Sequence, residues 1–157
     1  MKRILAVCAI ALTTGCGKPV DVAKAVQASE VTSGWLPADT AGGAHKIVPS
    51  ITVILKNTSA EPLNALQVNA VFRLISNDQE LSSDFKPVSD SGRLAPDAAT
   101  GKIVLKASLG YTGTDPVDEL LNNSKFVDAK CELFVKAGAG QWTRVAEFPI
   151  AREFTGS

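Results

Sequence analysis

The side chains of this chain that could do chemistry are few, and their spacing argues against a reaction. The three cysteines are Cys8, Cys16 and Cys131, and the single histidine, His45, stands in a loop-like Gly-Gly-Ala-His stretch. A thiol becomes a nucleophile or a metal ligand only beside a base or further ligands. Cys131 instead alternates with Val127, Ala129, Leu133 and Val135, which is the pattern of a small buried hydrophobe on one face of a strand. Serine hydrolysis would need a base next to its nucleophile, and no Gly-x-Ser-x-Gly elbow is present. Asp78, Glu80, Asp84 and Asp90 cluster in consecutive loops and carry the oxygen chemistry that calcium takes, but without the spacing of a calcium loop. Solvated loop acids are the expected reading. Ala99-Thr100-Gly101-Lys102 has the look of a phosphate loop but runs into a strand instead of a helix. The expectation is therefore no catalytic set, no metal and no cofactor. One feature stays open. The Gly110-Tyr111-Thr112-Gly113 turn sets an aromatic ring between glycines, which reads either as a contact surface centred on Tyr111 or as a cover for the end of the domain.

Composition bounds the answer further. The 157 residues contain 45% hydrophobic and 20% charged residues, an ordinary globular balance with enough length for one domain and a real core. Lys plus Arg number 16, as do Asp plus Glu, so nothing offers the clustered positive charge that nucleic acid binding needs. No internal repeat is present.

The start of the chain is an address. Lys2 and Arg3 form a positive head, and Ile4 to Leu12 is an unbroken apolar run far shorter than the roughly 20 residues of a spanning helix. Leu12-Thr13-Thr14-Gly15-Cys16 follows and resembles the bacterial lipobox, although Thr13 stands where that family usually has leucine and the leucine falls one place earlier. The resemblance implies a signal peptide over residues 1–15 and lipid attachment at Cys16, so that the protein is held on a membrane by acyl chains. Such chains contribute about 0.8 kcal/mol per buried methylene, and two or three bind stably. The alternative is an ordinary secretory signal with Cys16 merely nearby. Gly17 rather than Asp after the cysteine leans, by the same resemblance, towards the outer membrane, with the domain facing the periplasm. With Cys8 removed and Cys16 acylated, Cys131 is left unpaired and no disulfide framework is expected.

The elements that must position these residues are strands. Ile51, Val53 and Leu55 share one face of a first alternating run. Leu66, Val68, Ala70, Phe72 and Leu74 share one face of a second. Asn57-Thr58-Ser59-Ala60-Glu61-Pro62 between them has turn chemistry, and the pair is expected as a central hairpin. Residues 16–29 are expected as a tether, and a domain is placed over 30–157. It begins with an edge strand from Glu30 that Pro37 ends. Leu81 to Val88, Gly101 to Ser108, Phe126 to Lys136 and Trp142 to Ile150 supply further strands. Asp115 caps a short helix that has Pro116 at its first position. Seven short strands without βαβ spacing predict an all-β Greek-key, immunoglobulin-like sandwich with one short helix. Its inner residues are expected to be Trp35, Ile51, Val53, Leu55, Val68, Phe72, Leu74, Ile103, Leu105, Val127, Cys131, Leu133 and Phe148.

Two segments strengthen that fold by resemblance. Leu55 to Leu74 (LKNTSAEPLNALQVNAVFRL) and Leu94 to Thr100 (LAPDAAT) are similar to the Asn-rich hairpin and Leu-Ala-Pro-Gly turn of FxLYD-type immunoglobulin-like domains of exported bacterial proteins. Asp97 stands for the glycine, and the aromatic-Leu-Tyr-Asp signature is absent. The whole chain also resembles small uncharacterised bacterial lipoproteins that share the Gly110–Gly113 run and Phe126-Val127-Asp128-Ala129. The function expected is a non-enzymatic, lipid-anchored envelope module that binds a protein partner, with a strand edge at Leu81–Val88 or Val145–Ile150 as one docking route. The alternative is a periplasmic carrier of a small ligand or ion, and an envelope hydrolase is the least supported.

Overall fold

The structure, a computed structural model, describes residues 20–40, 42–88 and 91–155. After a single turn of helix, α1 (Val22–Ala25), the chain forms β1 (Val26–Ala38), β2 (His45–Asn57), β3 (Leu66–Leu74), β4 (Glu80–Pro87), β5 (Ile103–Lys106) and β6 (Tyr111–Gly113). A second one-turn helix, α2 (Val117–Leu120), precedes β7 (Ala129–Ala137) and β8 (Thr143–Pro149). Two antiparallel sheets result. In the first, β2 is flanked by β1 on one side and by β5 and β6 on the other; the second has the order β4-β3-β7-β8. The fold is an all-β sandwich, with its fourth strand on the sheet that also holds the last two.

The inward phases of both sheets meet in one core. Ile51, Val53, Leu55 and Leu105 face Val68, Ala70, Phe72, Ala129, Cys131, Leu133 and Val135, all fully buried. Large apolar side chains so buried each contribute about 1.5–3 kcal/mol. Leu74 and Phe148 are only half-buried, and Val127 is exposed. The alternation that placed Val127 inside breaks between residues 126 and 129, where the chain is irregular. Phe126 enters the core instead.

The expected central hairpin does not form. β2 and β3 belong to different sheets, and the connection between them is an arch across the sandwich. Asn57 makes the arch. Fully buried, its Nδ2 donates to the carbonyls of Glu61 (2.9 Å), Leu94 (3.1 Å) and Ala95 (3.1 Å), while its Oδ1 accepts from the Ser59 amide at 2.9 Å and hydroxyl at 2.7 Å. Leu63 and Leu94 then exchange backbone hydrogen bonds of 2.9 and 2.8 Å and are both buried. The packed unit also starts earlier than residue 30: Val22, Ala25 and Val26 are buried, so residues 22–29 are part of the sandwich. β1 runs through Pro37 to Ala38, which its position at a sheet edge tolerates because no partner strand needs the missing N–H. Asp115 does not cap α2; its carboxylate accepts from Asn123 Nδ2 at 2.6 Å.

The three long edge strands share a device. β1 sets three steps against two of β2 between Ser29 and Thr32, with Glu30 at φ 46°. β4 carries an extra residue, Leu81, opposite the Phe72–Arg73 step, and β8 carries Val145 opposite the Leu133–Phe134 step. Bulges at sheet edges discourage pairing with another chain. The short β5 edge is served from β4: the Lys106 amide donates to Asp84 Oδ2 at 3.0 Å, the Ser108 amide donates to Ser82 Oγ at 2.9 Å, and Lys86 Nζ donates to the Val104 carbonyl.

Candidate contact surfaces

The residues flagged by chemistry are dispersed. Cys16 and the whole segment 1–15 lie outside the described residues, as does Asp90. Cys131 is fully buried, and burial, reinforced by the neighbouring Glu132 charge, pushes its thiol up to about 12. It therefore carries no thiolate at neutral pH. Of the acids expected in loops, Glu80 and Asp84 lie on β4, and all three described ones are spent on cations: Asp78 pairs with Lys130 at 2.9 Å, Glu80 with Arg73 at 3.2 Å, and Asp84 with Lys86 at 3.8 Å. Among the described residues no three of His, Cys, Asp and Glu come together in a metal-holding group. His45 opens β2, exposed and opposite Gly113.

Tyr111 lies on a strand, not in a turn. β6 pairs with the start of β2, Tyr111 opposite Ile47, and Gly110 permits this approach: a Cβ there would fall 2.0 Å from the Ile47 carbonyl oxygen. Tyr111 is half-buried and meets Phe126 edge-on at 5.5 Å between ring centroids. Phe126 in turn packs edge-on against Trp35 at 4.7 Å, and the Arg152 guanidinium sits 4.9 Å from the Phe126 ring centre. Arg152 is itself held by Asp128 at 2.7 and 3.2 Å. Tyr111 thus helps close one end of the sandwich, where a mouth of about 160 Å³ opens between Trp35, Leu74, Leu81, Gly110, Tyr111 and Val127.

A second surface escaped the sequence reading. On the outer face of the second sheet the register aligns Phe85, Asn69, Phe134 and Arg144 in one row across all four strands. Phe85 is 53% exposed and Trp142, just before β8, is 39% exposed. Their rings meet edge-on at 5.9 Å, and Lys136 Nζ lies 4.9 Å over Trp142. The signal was present in the sequence, since Phe85 falls in the outward phase of its strand, but only the register shows that it meets Trp142. Beside this patch runs a charge lattice. Glu132, 14% exposed, accepts from Arg73 Nε at 2.9 Å and from Arg144 NH1 at 2.8 Å, and Arg144 also reaches Glu147 at 3.3 Å. Burial alone would push the Glu132 carboxyl up; the two arginine hydrogen bonds outweigh it and hold the carboxyl below the usual range.

No protein-family model matches the chain, and no curated protein matches it. Solved structures resemble it in outline. An X-ray structure of a Northeast Structural Genomics Consortium target aligns over 83% of this chain and 89% of its own at 12% identity with a TM-score of 0.46. The putative ApaA protein from Bordetella pertussis aligns over 80% and 92% at 16% identity (TM-score 0.40). A protein from Archaeoglobus fulgidus aligns over 80% and 98% at 12% identity (TM-score 0.39).

Proposed function

We propose that the protein is a lipid-anchored bacterial envelope protein, tethered through Cys16 and facing the periplasm, whose sandwich is a non-enzymatic module for binding a protein partner. The observation that carries the binding reading is the exposed Phe85–Trp142 pair on the open face of the second sheet. Exposed aromatic side chains beside a cation and an ion-paired rim have the composition of an interface centre. The face is a better route than strand addition, because the β4 and β8 edges both carry bulges. The anchor rests on the lipobox resemblance at Gly15-Cys16, and the outer membrane on Gly17.

Two experiments test the two halves separately. Metabolic labelling with a fatty-acid analogue should mark the full chain, and Cys16→Ser should abolish the label and release the protein from the membrane fraction; a labelled Cys16→Ser variant would remove the anchor from the reading. Photo-cross-linkers placed at Phe85 and Trp142 in the native envelope should give one reproducible protein adduct, while one at Val104, exposed on the opposite sheet, should give none. Combining Phe85→Ala with Trp142→Ala should weaken that association at least about tenfold. Equal adducts from all three positions would sink the face.

A further inference from the structure

We propose that, given the Cys16 anchor of the preceding reading, the end of the sandwich that holds α1 and the β7–β8 turn is a membrane-contact surface, resting on the phospholipid headgroups of the bilayer that carries the anchor. The length of chain between anchor and fold supplies the first argument. Only Gly17 to Asp21 separate Cys16 from Val22, and Val22 is already buried in the sandwich. Fully extended, that stretch reaches about 20 Å. β2 runs the length of the sandwich with 13 residues, which is about 40 Å. A tether half as long as the domain does not let the far end turn to the bilayer.

The chain enters at one defined end. Val20 and Val22 line a shallow groove together with Pro62, Leu63, Asn64, Gly138 and Gln141. β3 starts here and β4 and β7 finish here, with Pro87 opposite Gln67 and Ala137 opposite Leu66. Val20 and the turn from Gly138 to Gln141 are exposed and carry no charge. The single charged side chain of the groove, Asp21, is paired with Lys24 at 3.3 Å. Such a rim can approach headgroups without stripping water from an unpaired charge.

The opposite end argues the same way. Asp39, Asp78, Asp115, Asp118, Glu119 and Asp128 gather where β1, β3 and β6 finish and β7 begins, and they outnumber Lys46, Lys125, Lys130 and Arg152 there. An anionic bilayer repels that end, and a domain lying on its side would bring it within the Debye length of about 8 Å. Standing on the α1 end holds the acids about 40 Å away. With the strand ends down, both sheet faces look along the membrane, and the Phe85–Trp142 pair stays open to a protein partner.

The test uses the full chain, purified from membranes with its anchor and reconstituted into phosphatidylcholine vesicles containing a minority of phosphatidylglycerol. A dye is attached through Ala139→Cys in the β7–β8 turn or through Ser76→Cys in the β3–β4 turn, exposed sites at opposite ends. Cys131 is buried and stays unlabelled. Nitroxide carried on the lipid headgroup should quench the dye at Ala139→Cys and leave the dye at Ser76→Cys as bright as without nitroxide. Adding Val20→Glu and Gln141→Glu sets charge on the contact and should restore most of the lost emission. Equal quenching of the two dyes, no quenching of either, or quenching at Ala139→Cys that the two glutamates leave unchanged would overturn the contact with the anchor still standing. A protein that does not float with the vesicles, or an unsubstituted chain whose Cys16 takes up dye, would overturn the anchor and the contact with it.

Discussion

At the scale of single residues, Asn57 holds the arch between the two sheets through its side-chain amide. It satisfies three carbonyls and accepts two donors from a site with no access to water, and it joins the segments 57–61 and 94–95. Asn57→Ala leaves the Leu94 and Ala95 carbonyls without that partner, and a cost of about 2–4 kcal/mol is expected from thermal or urea unfolding. A change of under about 0.5 kcal/mol would show that water replaces the side chain. Asp97 illustrates the same economy of local rules. It adopts φ 58°, a conformation that Asp tolerates better than most residues. Cys131 is the opposite case, a residue whose chemistry is suppressed. Thiol reagents at neutral pH should leave it unmodified until the protein unfolds, and Cys131→Ser should cost about 1–3 kcal/mol for a hydroxyl among apolar atoms. Rapid labelling of the native protein would contradict its burial.

Among the elements, the strands were legible in the sequence and their partners were not. Period-two alternation places β3, β7 and β8 to within about three residues and finds the second half of β2, because half-buried strands must alternate; the start of β2 from His45 is not marked by it. The same alternation says nothing about which sheet a strand joins. The arch after β2 was therefore read as a hairpin, since the turn chemistry of Asn57 to Pro62 fits either and only the buried amide network distinguishes them. Tyr111 was legible as unusual but not as part of β6, because Gly110 earns its place from the Ile47 carbonyl of another strand. The Phe85–Trp142 patch and the charge lattice depend on cross-strand register in the same way. The lattice has a pH signature. The Glu132 carboxyl is depressed in the folded state, so its contribution is complete above the unfolded value of about 4.3 and is lost as pH falls through the lower folded value. Glu132→Gln should cost about 1–2 kcal/mol near neutrality, and its deficit should shrink towards zero in acid below about pH 4. A deficit independent of pH would assign the effect to packing rather than charge.

On the scale of the whole molecule, bulges close the long edge strands β1, β4 and β8 to neighbours. The last described segment completes this closure. Glu153 to Thr155 runs parallel to β1: the Trp35 amide donates to the Glu153 carbonyl at 2.8 Å and the Thr155 amide donates to the Trp35 carbonyl at 3.1 Å. Thr155 also lies 3.1 Å, oxygen to oxygen, from the buried Ser50 hydroxyl. Gly34 makes the approach possible, because a Cβ there would stand 2.6 Å from Thr155 Cγ2 and 2.7 Å from the Glu153 carbonyl. Ending the chain after Arg152 keeps the cap on Phe126 but removes both backbone bonds, so unfolding should come about 1–3 kcal/mol more easily. The bared stretch of β1 around Trp35 lies beyond the bulge at Glu30 and is straight enough to pair, so sedimentation should show self-association that the longer chain lacks. Gly34→Val must push the same segment away in an otherwise intact chain and should reproduce both effects. A truncated protein with an unchanged melting transition, still monomeric, would mean that the segment merely rests on β1 and that the bulges alone keep the edges apart.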